Sequence, residues 1–152
     1  KHIVMNDLHI IGVYIFYNFV YAVFSLPFGS LADRIGMKPI YIFGLVLFVA
    51  VYTGMAFVKQ EVLVYVLFFI YGIYAAANDG VSKAWIAKIL PSAETATGLG
   101  LFTSFSSIAT MLASMIAGFF WVMIDPTACF LISGFGVGVA IFYFLIQRKD
   151  NF

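Results

Sequence analysis

The chain has 152 residues, 64% of them hydrophobic and 10% charged, with a mean hydropathy of +1.06. Water-soluble domains are nearer half apolar and a quarter charged, so this little charge cannot clothe a body that faces water. A net charge of +1 argues for no polyanionic partner, nucleic acid included.

Lipid is then the solvent for most of the surface, and backbone hydrogen bonds must close within helices. A membrane barrel would show short segments of alternating apolar and polar residues. Gly44-Leu45-Val46-Leu47-Phe48-Val49-Ala50-Val51 does not alternate. The fold class is all-α, a multi-pass helical membrane protein. Cys129 is the one cysteine and permits no intrachain disulfide. The chain opens on Lys1 with no basic stretch ahead of a short apolar one. That predicts no cleaved signal peptide and suggests a fragment.

Five apolar segments are long enough to cross a hydrocarbon core of about 30 Å. They run roughly over 8–31, 38–58, 61–90, 95–124 and 127–146, as a single transmembrane domain. The connections are short, so successive helices are expected to be antiparallel neighbours. The first is Gly29–Pro39, a tight cluster of charge and glycine read as a loop at the membrane surface. Arg34, Lys38, Lys83, Lys88, Arg148 and Lys149 fall on one side, against Lys1 and Lys59 on the other. The positive-inside rule places the first side, with the Gly29–Pro39 loop and the C-terminus, in the cytoplasm of a cell (inner) membrane. Pro39 suits the first turn of the second helix. Ser92 or Thr95 is placed to cap the fourth, with Glu94 near its positive end. Pro27 is expected to kink the first.

Polar residues fall on particular faces. Tyr14, Tyr17, Asn18, Tyr21 and Ser25 make one stripe of the first helix, and Tyr71, Asn78, Asp79 and Ser82 a broad face of the third. Ser106, Thr110, Ser114 and Gly118 make a ridge on the fourth, with Thr103 and Ser107 beside it. Lipid penalises unpaired polar groups, so these three helices are expected to face protein or water. The second and fifth are expected to lie outermost. Gly72-Ala76-Gly80-Ala84 and Gly134/Gly138 are explained by close helix packing alone.

Asp79 is costly inside a membrane helix, and Lys83 follows it at i+4 in the favourable order for an ion pair. The alternatives are a structural or gating pair and direct ligand or proton binding. Asn18 has two readings, an interhelical hydrogen bond and a cavity-lining donor. His2 and His9, without a cysteine or carboxylate cluster, predict no metal site. No nucleophile elbow, phosphate loop or paired carboxylates appear, so no enzyme and no cofactor are expected.

Gly29-x-x-x-Asp33-Arg34-x-Gly36-x-Lys38 closely resembles the signature loop of the major facilitator superfamily, G-x-x-x-D-R/K-x-G-x-R/K-R/K. The final basic position is Pro39 here, which thins the pattern. Three softer stretches resemble that family's C-terminal half. Tyr17-Asn18-x-x-Tyr21-Ala22 leads into Leu26-Pro27-x-Gly29, and Gly80-Val81-x-Lys83-Ala84 into Leu90-Pro91. Thr97-Gly98-x-Gly100 is followed by Ala117-Gly118-x-x-Trp121. The resemblance implies helices eight to twelve of a twelve-helix transporter, a partial C-terminal bundle whose partner is the N-terminal half. It implies a gate at Gly29, Asp33, Arg34, Gly36 and Lys38. In that gate Gly29 admits a close helix crossing, Asp33 grips the positive end of a neighbouring helix, and Arg34 joins the network.

The leading expectation is a secondary transporter moving a small solute by alternating access. Its cavity groups would be Asn18, Tyr21, Asn78, Asp79 and Ser106, with Asp79 the acid available for proton coupling. The alternative is a truncated or split membrane module with a packing or assembly role and no transport of its own.

Overall fold

A computed structural model describes residues 7–146, and these form five helices. They are α1 (Asp7–Ile35), α2 (Met37–Phe57), α3 (Glu61–Ile89), α4 (Thr95–Met123) and α5 (Pro126–Ile146). Each is long and apolar enough to cross a membrane. His2, Arg148 and Lys149 lie outside the described residues.

The first connection is much shorter than its charge suggests. Helix α1 runs unbroken through Pro27 and on through Asp33, Arg34 and Ile35. One residue, Gly36, then separates it from α2. The reversal is possible because Gly36 adopts φ 101° and ψ 152°, a region essentially reserved for glycine. Its N–H still bonds the Ala32 carbonyl at 3.0 Å, closing the last turn of α1. Gly36→Ala is expected to cost about 1–3 kcal/mol through the backbone alone. Denaturant unfolding in micelles, with Gly29→Ala as the unstrained control, measures it.

Capping also departs from expectation. Neither Ser92 nor Thr95 caps α4; Thr95 donates back to the Pro91 carbonyl at 3.1 Å, and Glu94 occupies the cap position without a side-chain bond. The cap that does form is at α5, where Asp125 Oδ1 accepts the Thr127 N–H.

Burial revises the expected layout. Helix α3 is the most buried span and packs against α1, α2 and α4. Helix α2 is next, touching α1, α3 and α5, so it is not outermost. Glycine notches put it there. A Cβ on Gly44 would stand 2.5 Å from Asn78 Oδ1, and one on Gly54 2.6 Å from Leu67 Cδ2. Helix α5 is peripheral and touches α2 and α4. Helix α4, expected to face protein or water, has no buried residue and turns its hydroxyl ridge to a cleft.

The small-residue ridges split in the same way. Gly72 and Ala76 are buried, and a Cβ on Gly72 would meet Val20 at 2.8 Å and the Tyr17 carbonyl at 3.1 Å. Gly80 and Gly138 have open space there, while Gly134 packs on Tyr52 and Thr53. A chain of ring contacts links all five helices. It runs Tyr17–Tyr71 (5.3 Å), Tyr71–Tyr52 (6.4 Å), Tyr52–Phe130 (5.7 Å) and Phe130–Trp121 (6.0 Å). Such pairs add about 0.5–1.5 kcal/mol each beyond their buried area.

Candidate functional site

Helix α4 leans only lightly on α3, which leaves a cleft of about 750 Å³ between them with Tyr41 and Leu45 of α2 as its floor. That volume is typical of small-molecule sites. The polar face of α3 forms one wall, with Tyr71, Tyr74, Asn78, Asp79, Ser82 and Lys83. The hydroxyl ridge of α4 forms the other, with Thr103, Ser106, Ser107, Thr110 and Ser114. Two faces read separately from helical periodicity therefore meet across one space.

Several of the α4 hydroxyls owe their place inside a membrane helix to their own backbone. Thr103 donates to the Leu99 carbonyl at 2.8 Å, Ser107 to Thr103 at 2.9 Å and Thr110 to Ser106 at 2.8 Å. Each hydroxyl hydrogen is thereby satisfied one turn back, and the oxygen stays free to accept. Ser82 on α3 does the same to the Asn78 carbonyl at 2.6 Å.

Asn78 differs from all of these. Its residue is 7% exposed, and neither its amide oxygen nor its nitrogen has a hydrogen-bond partner among the described residues. The Tyr74 hydroxyl lies one turn away, within electrostatic reach but without hydrogen-bond geometry. Burying an unpaired amide costs about 1–3 kcal/mol. The amide is wedged over Gly44 at the edge of the cleft.

Asp79 is the hub of a small network. Lys83 Nζ lies 3.2 Å from its Oδ1, and the Tyr21 hydroxyl donates to its Oδ2 at 2.9 Å. The second bond joins α1 to α3 across 58 residues of sequence, so spacing gave no sign of it. The acid is not buried among the described residues: its side chain is 51% exposed, and that of Lys83 50%. An exposed i, i+4 pair of this kind is worth about 0.3–0.5 kcal/mol in water.

The remaining predicted residues lie elsewhere. Asn18 neither reaches another helix nor lines the cleft; its amide nitrogen donates to the Tyr14 carbonyl at 2.8 Å on the exposed face of α1. Tyr21 meets the site only through Asp79. Gly29, Asp33, Arg34, Gly36 and Lys38 lie some turns away, around the α1–α2 junction. Asp33 and Arg34 are exposed in the last turn of α1 and make no ion pair among the described residues. One contact went unread: His9 Nδ1 lies 2.7 Å from Glu61 Oε1, tying the start of α1 to the start of α3. No group of three metal-ligating side chains occurs among the described residues.

Comparison with known proteins gives a consistent result. A family profile described as Major Facilitator Superfamily matches residues 3–151. The chain is 40% identical over 122 residues to "Uncharacterized MFS-type transporter MJ1317" of Methanocaldococcus jannaschii, covering 80% of this chain and 30% of that protein. It is 25% identical over 133 residues to "Uncharacterized transporter YybO" of Bacillus subtilis, covering 88% of this chain and 30% of that one. The chain thus spans less than a third of the length of these relatives. No solved structure matches it. With five membrane-spanning helices and a family match over nearly its whole length, this chain belongs to the major facilitator superfamily.

Proposed function

We propose that this chain is the C-terminal part of a secondary active transporter that moves a small solute by alternating access. The observation that carries this reading is Asn78, a buried amide with both polar atoms unpaired at the wall of a hydroxyl-lined cleft. A purely structural bundle has no use for such a cost inside a membrane. A solute that hydrogen-bonds the amide would recover it.

The halves of the transporter would rock about this cleft, with Asp79 and Ser106 contributing to the bound solute's surroundings. Asn18 and Tyr21, on the far side of α1–α3, would face the N-terminal half. The gate would be the end of α1, with its C-terminus and that of the chain in the cytoplasm of an inner membrane. Asp33 favours this: the last turn of its own helix is the negative end of the dipole, a poor place for an anion. The first turn of a neighbouring helix stabilises it by about 0.3–1 kcal/mol, weak enough to release each cycle. Arg34 and Lys38 would complete the network, and Gly29, with nothing within 4 Å of a Cβ, leaves room for a crossing helix.

The test uses the complete protein reconstituted in vesicles, screened with labelled solutes for uptake and counterflow. Asp33→Asn is expected to reduce flux several-fold while membrane insertion and cysteine-labelling topology stay unchanged. Flux equal to the parent protein removes the gate role.

A further inference from the structure

We infer that the α3–α4 cleft takes a protonated amine on an apolar or aromatic body, and that Lys83 occupies the amine's position on Asp79 when the cleft is empty. This deepens, and rests on, the reading of the cleft as the solute site.

Thr103, Ser107, Thr110 and Ser82 have each committed their hydrogen to a backbone carbonyl, so each presents only lone pairs to the cleft. Asp79 adds a carboxylate. Among the described residues the ammonium facing the cleft is that of Lys83, and it is spent on that carboxylate at 3.2 Å. The donors left are the Asn78 amide, the tyrosine hydroxyls and the Ser106 and Ser114 hydroxyls, fewer than the lone pairs around them. A site rich in acceptors and negative charge selects a ligand rich in N–H and positive charge. A carboxylate ligand would meet the Asp79 charge on one wall and the lone pairs of Thr103, Ser107 and Thr110 on the other. A neutral polyol would satisfy the hydroxyl wall and leave the charge unread.

The apolar part of the lining agrees. The Tyr71 and Tyr74 rings stand 5.3 Å apart at 36°, and Phe102 comes from the opposite wall. Their faces suit a cation or a second ring. Asn78, more than nine-tenths buried and unpartnered, lies at the cleft's inner edge with its amide packed over Gly44.

Lys83 gives the proposal its sign. Its ammonium is half exposed on a flexible stem, so an incoming amine can displace it and leave it solvated at the rim. Removing Lys83 removes a competitor; removing the Asp79 charge removes the anchor. A pair serving only to hold the helix predicts that both changes harm the protein alike.

The experiment measures binding rather than flux, on the complete protein in micelles, by ligand-induced thermal stabilisation. The probes are 2-phenylethylamine, its neutral analogue 2-phenylethanol and the anion 3-phenylpropanoate. The amine is expected to bind at least tenfold more tightly than either. Asp79→Asn is expected to weaken the amine about tenfold, 1.4 kcal/mol, and Lys83→Gln to tighten it about tenfold. Preference for the anion, or for the alcohol over the amine, overturns the proposal on the parent protein alone, whatever the variants do. Equal weakening in both variants overturns the displacement by Lys83. Amine binding without flux of any solute leaves this site standing and removes the transporter reading. Flux of other solutes without amine binding does the reverse.

Discussion

Gly72→Ala is expected to destabilise the bundle by about 1–3 kcal/mol, the range for forcing extra atoms into a filled contact. The same change eight residues on, Gly80→Ala, is expected to stabilise it by about 0.5–1 kcal/mol. Helix propensity favours alanine at both positions, so only the neighbours decide the sign. At Gly72 the new methyl would sit 2.8 Å from Val20 and 3.1 Å from a backbone carbonyl of α1, which cannot swing away. At Gly80 it would meet nothing within 4 Å. Pushing α1 off α3 also strains the Tyr21–Asp79 hydrogen bond and the Tyr17–Tyr71 ring contact. Flux should therefore fall in Gly72→Ala beyond the loss of folded protein. Unfolding of the two variants in mixed micelles decides the matter, and equal stabilities would show that α1 and α3 are less closely seated than their backbone implies.

Asn78→Ala should separate stability from activity. Interhelical hydrogen bonds are the usual reason for an asparagine in a membrane helix, and their loss would destabilise. Here the amide makes none among the described residues, so truncation removes an unpaired buried group that costs about 1–3 kcal/mol. The packing lost against Gly44 works in the opposite direction. The net expectation is a melting temperature no lower than the parent's, with flux reduced at least tenfold. A lower melting temperature with intact flux would make Asn78 a packing residue. The split is informative because most substitutions in a core lower both together.

The number, order and extent of the helices were legible in the sequence because apolar runs of this length have one use in lipid. So were the two walls of the cleft, since period 3.6 places Asn78, Asp79 and Ser82 on one face and Ser106, Thr110 and Ser114 on another. What stayed hidden depended on neighbours. Polarity marked which helices need company, but glycine notches at Gly44 and Gly54 drew the apolar α2 inward, second in burial only to α3. Charge at Asp33 and Arg34 suggested a loop, whereas a helix can carry charges for a full turn beyond the hydrocarbon. Tyr21 with Asp79, and His9 with Glu61, are contacts between distant segments that no local pattern encodes.

The one-residue joint at Gly36 has a mechanical consequence. Helices of 29 and 21 residues meet there, arms of roughly 44 and 32 Å. A rotation of about 10° at the joint would carry the far end of α1 by roughly 8 Å, the rise per residue fixing the arm's length. Only two backbone angles are available to absorb it, and both already sit where glycine alone is comfortable. With α3 seated against both arms, α1, α2 and α3 make a braced triangle. Compliance is left to α4, which has no buried residue and the longest approach, the segment from Leu90 to Glu94. Movement across the cleft is then cheapest where one wall is a truss and the other a door.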